Sequence, residues 1–349
     1  MDKILILAKK LIKISNPTEA LKLCLTELKD FKLEKFTKNG YPSALIHNQK
    51  KSYRQFKIIL NGHLDVIPGK SFQYTPKISK DRLSGVGSMD MKSNVACLIA
   101  VFKKVANKVK YPIALQLVTD EEIGGLNGTK YQVDQGVRAD LVIAGETTNF
   151  QITNQAKGIL WLKISTLGKT AHGAYPWKGD NAVWKMQHFL SLLAKKFPNP
   201  KKPGRSTSVN LARIETKNQA FNKIPDDCSV WLDIRFPSRD ENSILKKIKS
   251  LLSKSFSLKV ILKEPAIIVN KNNKIIKILK AATEKIMKSK AQYRQAQGSS
   301  DARHFTKINC PAIEFGPIGG RIGTDKEWVS IKSLEKYSQI LQEFLLSLS

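Results

Sequence analysis

Along residues 1–15, Leu and Ile recur at helical spacing between lysines, which predicts a surface helix at the start of the chain. An apolar run at 57–60 (KIIL) leads into Asn61-Gly62 and reads as a strand ending in a turn. Residues 90–109 place Val95, Leu98, Ile99, Phe102 and Val105 on one helical face, so a helix is expected there. Two further apolar runs, 112–118 (PIALQLV) and 140–144 (DLVIA), have the composition of strands buried on both faces. Strands alternating with helices predict a largely parallel sheet with helices on both sides.

The middle of the chain has another period. Residues 159–167 (ILWLKISTL), 206–214 and 229–236 alternate apolar and polar positions, as strands with one wet face do. That predicts an antiparallel sheet, with helical patterns at 181–197 and 241–255 to cover its other face. From about residue 270 the pattern returns to helix, turn, a strand at 312–315 (AIEF) and a last helix. The expected fold class is α/β. A mostly parallel larger domain spans 1–156 and 265–349, and an α+β domain (antiparallel sheet plus two helices) is inserted at 157–264.

Composition narrows the function classes. A length of 349 residues suits two domains, and 42% hydrophobic content is ordinary for a globular interior. No run approaches the roughly 18 apolar residues of a membrane span. The N-terminal stretch has no small-residue cleavage site, so neither a membrane partner nor a signal peptide is expected. The scattered Cys24, Cys97, Cys228 and Cys310 form no close pair, which argues for a cytoplasmic protein without a disulfide framework or a cysteine zinc knot. A net charge of +30 raises nucleic acid as a partner. The lysines, however, run the whole length, with one dense loop at 195–205 and no interleaved aromatics. A solvated basic surface is therefore expected and no nucleic acid, though the field would favour anionic substrates.

The candidate chemistry lies just beyond the expected strands. His63 and Asp65 follow KIILNG, Asp90 follows Gly85-Val86-Gly87-Ser88-Met89, Asp120-Glu121-Glu122 follow PIALQLVT, and Glu146 follows DLVIAG. Open α/β sheets bind ligands at the carboxyl ends of their strands, so the sheet would gather these groups on one rim. Such carboxylates repel one another unless a cation neutralises them, and a histidine with carboxylates suits zinc, with manganese or cobalt as alternatives. Asp65 would accept the second imidazole N–H of His63. Of the pair Glu121-Glu122, one could hold metal while the other takes a proton from water. Each residue also has a plainer reading: a structural histidine, a solvated acidic turn, a helix cap at Asp90.

At these residues the chain resembles the di-zinc peptidase and deacylase family of aminoacylases, acetylornithine deacetylase, succinyl-diaminopimelate desuccinylase and glutamate carboxypeptidases. The matching segments are GHLDVIPG (62–69), GVGSMDMK (85–92), TDEEIGG (119–125), AGETT (144–148), GKTAHGAYPWKGDNAV (168–183), NKIPDDCSVWLDIRFP (222–237) and GSSDARHF (298–305), in the family's order over nearly the whole chain. The resemblance implies a zinc-peptidase catalytic domain with an inserted dimerisation or lid domain, hence a homodimer. It implies that His63 and Glu146 ligate one zinc, Asp90 bridges, Glu122 ligates a second zinc and Glu121 is the general base. His172 would help bind the oxyanion, and Asn222 and Arg235 would contact the polar end and carboxylate of a small-molecule substrate. For Arg235 a structural salt bridge is the competing reading.

One segment departs from the family. Where the resemblance implies a histidine in H-T-D-x-E-W-V, the chain reads Gly323-Thr324-Asp325-Lys326-Glu327-Trp328-Val329. Glycine has nothing to coordinate with. Asp325, His304 or water would have to complete a second site, or a single ion would serve, or catalysis has been lost and the protein binds ligands or partners. The expectation is retained hydrolysis of an N-acyl amino acid or short peptide with a free carboxylate; the alternative is a catalytically silent homologue.

Overall fold

The computed structural model describes residues 1–348, which fall into two compact units. One comprises Met1–Gln155, Ile268–Arg294 and the chain from Ser300 onward; the other comprises Ala156–Ile267 and Gln295–Ser299.

The first unit is built on a nine-stranded sheet. Its centre runs in the order Ile113–Val118, Gln55–His63, Arg138–Ala144, Ala312–Glu314, all parallel. Antiparallel strands flank this centre, Tyr41–His47 and Lys32–Lys38 on one side and Ile152–Ala156 on the other. Every residue of Ile113–Val118 is buried, which explains its unbroken apolar run. The helix Lys92–Val105 packs on the Gln55–His63 strand so closely that a Cβ on Gly62 would meet Val95 at 2.8 Å. The neighbouring Asn61 points the opposite way, to the Thr129 hydroxyl of the helix Thr129–Asp134 (3.2 Å). Helices therefore cover both faces. The chain crosses from Gln55–His63 to one neighbour, Ile113–Val118, then returns to the other, Arg138–Ala144, a reversal of the kind that opens a ligand crevice in α/β sheets. The expected helix at 90–109 begins later, at Lys92, and leaves Asp90 in the loop before it.

The second unit is a four-stranded antiparallel sheet in the order Ser208–Glu215, Asp227–Phe236, Gly158–Leu167, Phe256–Glu264. Buried and half-buried positions alternate strictly along Asp227–Phe236. Leu160, Leu162, Val230, Leu232 and Ile234 meet Met186 and Phe189 of the helix Ala182–Lys196 and Ile244 and Ile248 of a second helix.

That second helix corrects one expectation. The helical pattern at 241–255 yields only Ile244–Lys249; i→i+3 bonds from Leu251 and Leu252 close it, and a strand over Phe256–Glu264 follows. This edge strand is mostly exposed and breaks register between Val260 and Leu262, so its alternation is faint in the sequence. Among the described residues no helix is long and apolar enough to cross a membrane.

Phe189 is 1% exposed in the core of the second unit, its ring centroid 5.7 Å from that of Phe256 and tilted to it by 48°. Phe189→Ala should cost about 3–5 kcal/mol, read as a lower midpoint in urea unfolding.

Candidate metal centre

The register of the parallel strands sets the site. His63 ends its strand opposite Val118, and Asn61 of the same strand lies opposite Ala144. The residues that follow, Glu121 and Glu122 in a short 3-10 turn and Glu146 two positions beyond its strand, therefore emerge beside His63. Asp90 arrives from the loop before the helix Lys92–Val105.

His63, Asp90 and Glu122 each place one ligand atom within 4.8 Å of the others. His63 Nε2 is 3.0 Å from Asp90 Oδ1 and 3.8 Å from Glu146 Oε1. Its Nδ1 lies 3.0 Å from the Asp65 carbonyl and 3.6 Å from the Asp65 carboxylate. The expected partner residue is present, but its main chain makes the hydrogen bond that orients the ring. The Asp65 carboxylate instead accepts the Glu122 N–H at 2.8 Å.

Electrostatics describe the same cluster. Burial and the charge of Asp90 push Glu122 up to about 7. Burial raises Glu121 to about 8, His63 and Arg303 opposing and Asp301 and Asp90 reinforcing. Glu146 is driven well above the carboxylate range by burial and by Asp90. Burial opposes the charging of His63, yet Asp65, Asp90 and Glu146 raise it well above its usual value. An imidazole and several half-buried carboxylates that repel one another fit a divalent cation, which would relieve that repulsion.

Gly323 sits at φ +64° beside Ile67 and offers no ligand. Asp325, the first substitute, forms an ion pair with Lys70. His304 is buried in the helix Ala302–Thr306, its Nε2 bonded to the Gly124 carbonyl at 3.1 Å. Burial and the neighbouring Arg303 lower its pKa to about 2, so it is neutral.

Two further residues at this rim had no role assigned from the sequence, although Arg303 lies in the matching segment 298–305. Asn94, fully buried, donates to the carbonyls of Gly145 (2.7 Å) and Met89 (3.2 Å) and so ties the Glu146 segment to the Asp90 loop. The Arg303 guanidinium lies 3.6 Å from Glu121 and donates to the Gly124 carbonyl at 2.6 Å. For Asn94 the sequence signal was Ser93-Asn94 following DMK (90–92), where the resemblance implies glycines.

The remaining candidates belong to the second unit. His172 is exposed in the loop after Gly158–Leu167; its Nδ1 accepts the Ala174 N–H at 3.1 Å and its ring rests 5.8 Å from Tyr175. Asn222 is its neighbour, its carbonyl accepting the Gly173 N–H at 2.7 Å. Arg235 is elsewhere: it pairs with Ile159, whereas Asp227 of its strand pairs with Leu167 at the His172 end, roughly 27 Å away along the strand. Its guanidinium bonds the Asp233 carboxylate at 2.8 and 3.1 Å.

The chain is similar to known proteins in sequence and in fold. A succinyl-diaminopimelate desuccinylase from Pelagibacter ubique is 31% identical over 366 aligned positions, covering 97% of this chain and 91% of the relative. In fold, a Staphylococcus aureus tripeptidase superimposes with a TM-score of 0.83 at 16% identity, over 99% of this chain and 98% of that one. A Bacillus subtilis dinuclear metal-binding peptidase of the M20 family superimposes at 0.73 and 12% identity, over 99% and 98%. Residues 59–347 match the family described as peptidase family M20/M25/M40. With most of the chain inside that match, the protein belongs to peptidase family M20/M25/M40 and is a metallohydrolase of amide or peptide bonds.

Proposed function

We propose that the enzyme removes the acyl group from an N-acyl amino acid or short peptide bearing a free carboxylate. It would use one or two zinc ions, with cobalt or manganese as substitutes, and act as a cytoplasmic homodimer. The observation that carries this reading is the convergence of His63, Asp90 and Glu122 with Glu146 and Glu121 at the strand ends. The desuccinylase relative makes an N-succinyl amino acid the first substrate to try. Large apolar side chains exposed on the second unit's sheet, Trp161, Leu211, Ile214 and Ile261, support pairing of two copies. Four free, separate thiols accord with a reducing compartment.

His63, Asp90, Glu122 and Glu146 would hold the metal. A divalent ion held there would supply Lewis acidity toward the scissile carbonyl and water, and its charge would favour the ionised form of the surrounding carboxylates. Glu121 then takes a proton from the attacking water and returns it to the leaving nitrogen. Arg303 and the Gly124 turn keep that carboxylate in place. His172 donates to the oxygen on which negative charge develops, and Asn222 beside it bonds the substrate's polar end. Arg235 suits a bidentate grip on the substrate carboxylate, which it would take in exchange for Asp233.

Purified protein with added zinc, cobalt or manganese should hydrolyse at least one of a panel of N-succinyl and N-acetyl amino acids and dipeptides. Glu121→Gln should lower that turnover by about 10²–10⁴-fold. A folded wild type silent on the whole panel in every metal would sink the proposal.

His172→Ala should lower kcat by about 10²–10³-fold with KM changed little, since the hydrogen bond strengthens as charge develops. Unchanged kcat in steady-state assays would leave His172 a loop residue packed on Tyr175.

A further inference from the structure

We propose that Glu327 is a positioning residue for the metal centre, fixing Asp90 through the main chain of the loop that carries it. The inference rests on the reading of Asp90 as a ligand.

A small sheet brings the two together. The strand Trp328–Ser330 pairs antiparallel with Arg82–Ser84, Trp328 opposite Ser84. The residue just before Trp328 must therefore lie beside the residues just after Ser84, which form the loop leading to Asp90. Glu327 occupies that place, and its own carbonyl accepts the Gly85 N–H at 3.3 Å. Its side chain then turns into the loop. Oε1 accepts the N–H groups of Met89 (2.8 Å) and Asp90 (3.2 Å), and Oε2 accepts that of Gly87 (3.3 Å).

Glu327 is 4% exposed, and a carboxylate so buried is costly unless hydrogen bonds compensate it. Lys92, the buried cation nearby, directs its ammonium to the Ile14 carbonyl at 2.6 Å. The three amides are thus the direct partners of the Glu327 carboxyl group. From the other side the Met89 carbonyl is gripped by Thr147 Oγ1 (2.7 Å) and Asn94 (3.2 Å). Donor and acceptor sides of the backbone preceding Asp90 are both taken, and the Asp90 carboxylate is left 3.0 Å from His63. Gly87 lies at φ +70°, and a Cβ there would meet Val66 at 2.6 Å, so the loop has little room to adopt another path.

The test measures Zn²⁺ binding to metal-stripped protein by isothermal titration calorimetry, with the thermal midpoint of each metal-free variant as a fold control. Glu327→Ala should weaken zinc binding by about 10–100-fold, the range for residues that orient a ligand. Glu327→Gln keeps one oxygen for the Met89 and Asp90 amides and should lose several-fold less. Wild-type zinc affinity in a folded Glu327→Ala overturns the inference, as does a Gln variant no better than Ala. If the Ala variant does not fold, the Gln variant decides: a several-fold loss supports the role and none refutes it. Asp90→Asn separates the two readings. If it binds zinc normally, the ligand reading fails; if it loses zinc while Glu327→Ala does not, only the positioning role falls.

Discussion

Gathering three glutamates and an aspartate around one imidazole is unfavourable unless a cation joins them, and much of the first unit serves to hold them there. Glu121, Glu122 and Glu146 are all displaced upward in pKa by burial and like charge, the cost written into the site. The parallel hydrogen-bond ladder resists that cost. It sets His63 level with Val118 and Asn61 level with Ala144, so the residues beyond each strand end have nowhere to separate. Close helix packing completes the enclosure. A Cβ on Gly145 would meet Met91 at 2.8 Å and Leu98 at 2.9 Å, so glycine lets the Glu146 segment approach the start of the helix that follows Asp90.

Buried polar side chains then lock the loops that no strand controls. Asn94 joins the Glu146 segment to the Asp90 loop, Asp65 holds both His63 and the Glu122 amide, and Arg303 spans from Glu121 to the Gly124 carbonyl. Each of these groups is buried and hydrogen-bonded, the condition under which polar atoms rigidify an interior. The segment 323–329 contributes a glutamate to this network. Its Gly323 is empty-handed, Asp325 is committed to Lys70, and Glu327 binds only backbone amides.

The second unit follows different rules. Its sheet keeps one face dry under two helices and one face wet, and the two loops holding His172 and Asn222 meet at one end of the strands. Arg235 lies toward the other end, joined to Asp233. The Arg235–Asp233 ion pair is thus placed apart from His172 and Asn222 along the sheet.

Hydrophobic periodicity determined the central strands, the covering helices and the change of sheet type in the middle, because burial on one or both faces imprints a period on the residues themselves. It failed at 241–264, where an exposed edge strand is secured by main-chain bonds that leave no such imprint. The acidic and histidine positions beyond each strand were equally legible, since a parallel sheet places its strand ends on one rim. Tertiary structure alone decided that the Asp65 carbonyl orients His63, that Asp325 and His304 are engaged elsewhere, and that Glu327 reaches the Asp90 loop 237 residues away. Contacts of that kind join single polar atoms across the chain, with neither period nor spacing to announce them; they exist only once the backbones have met.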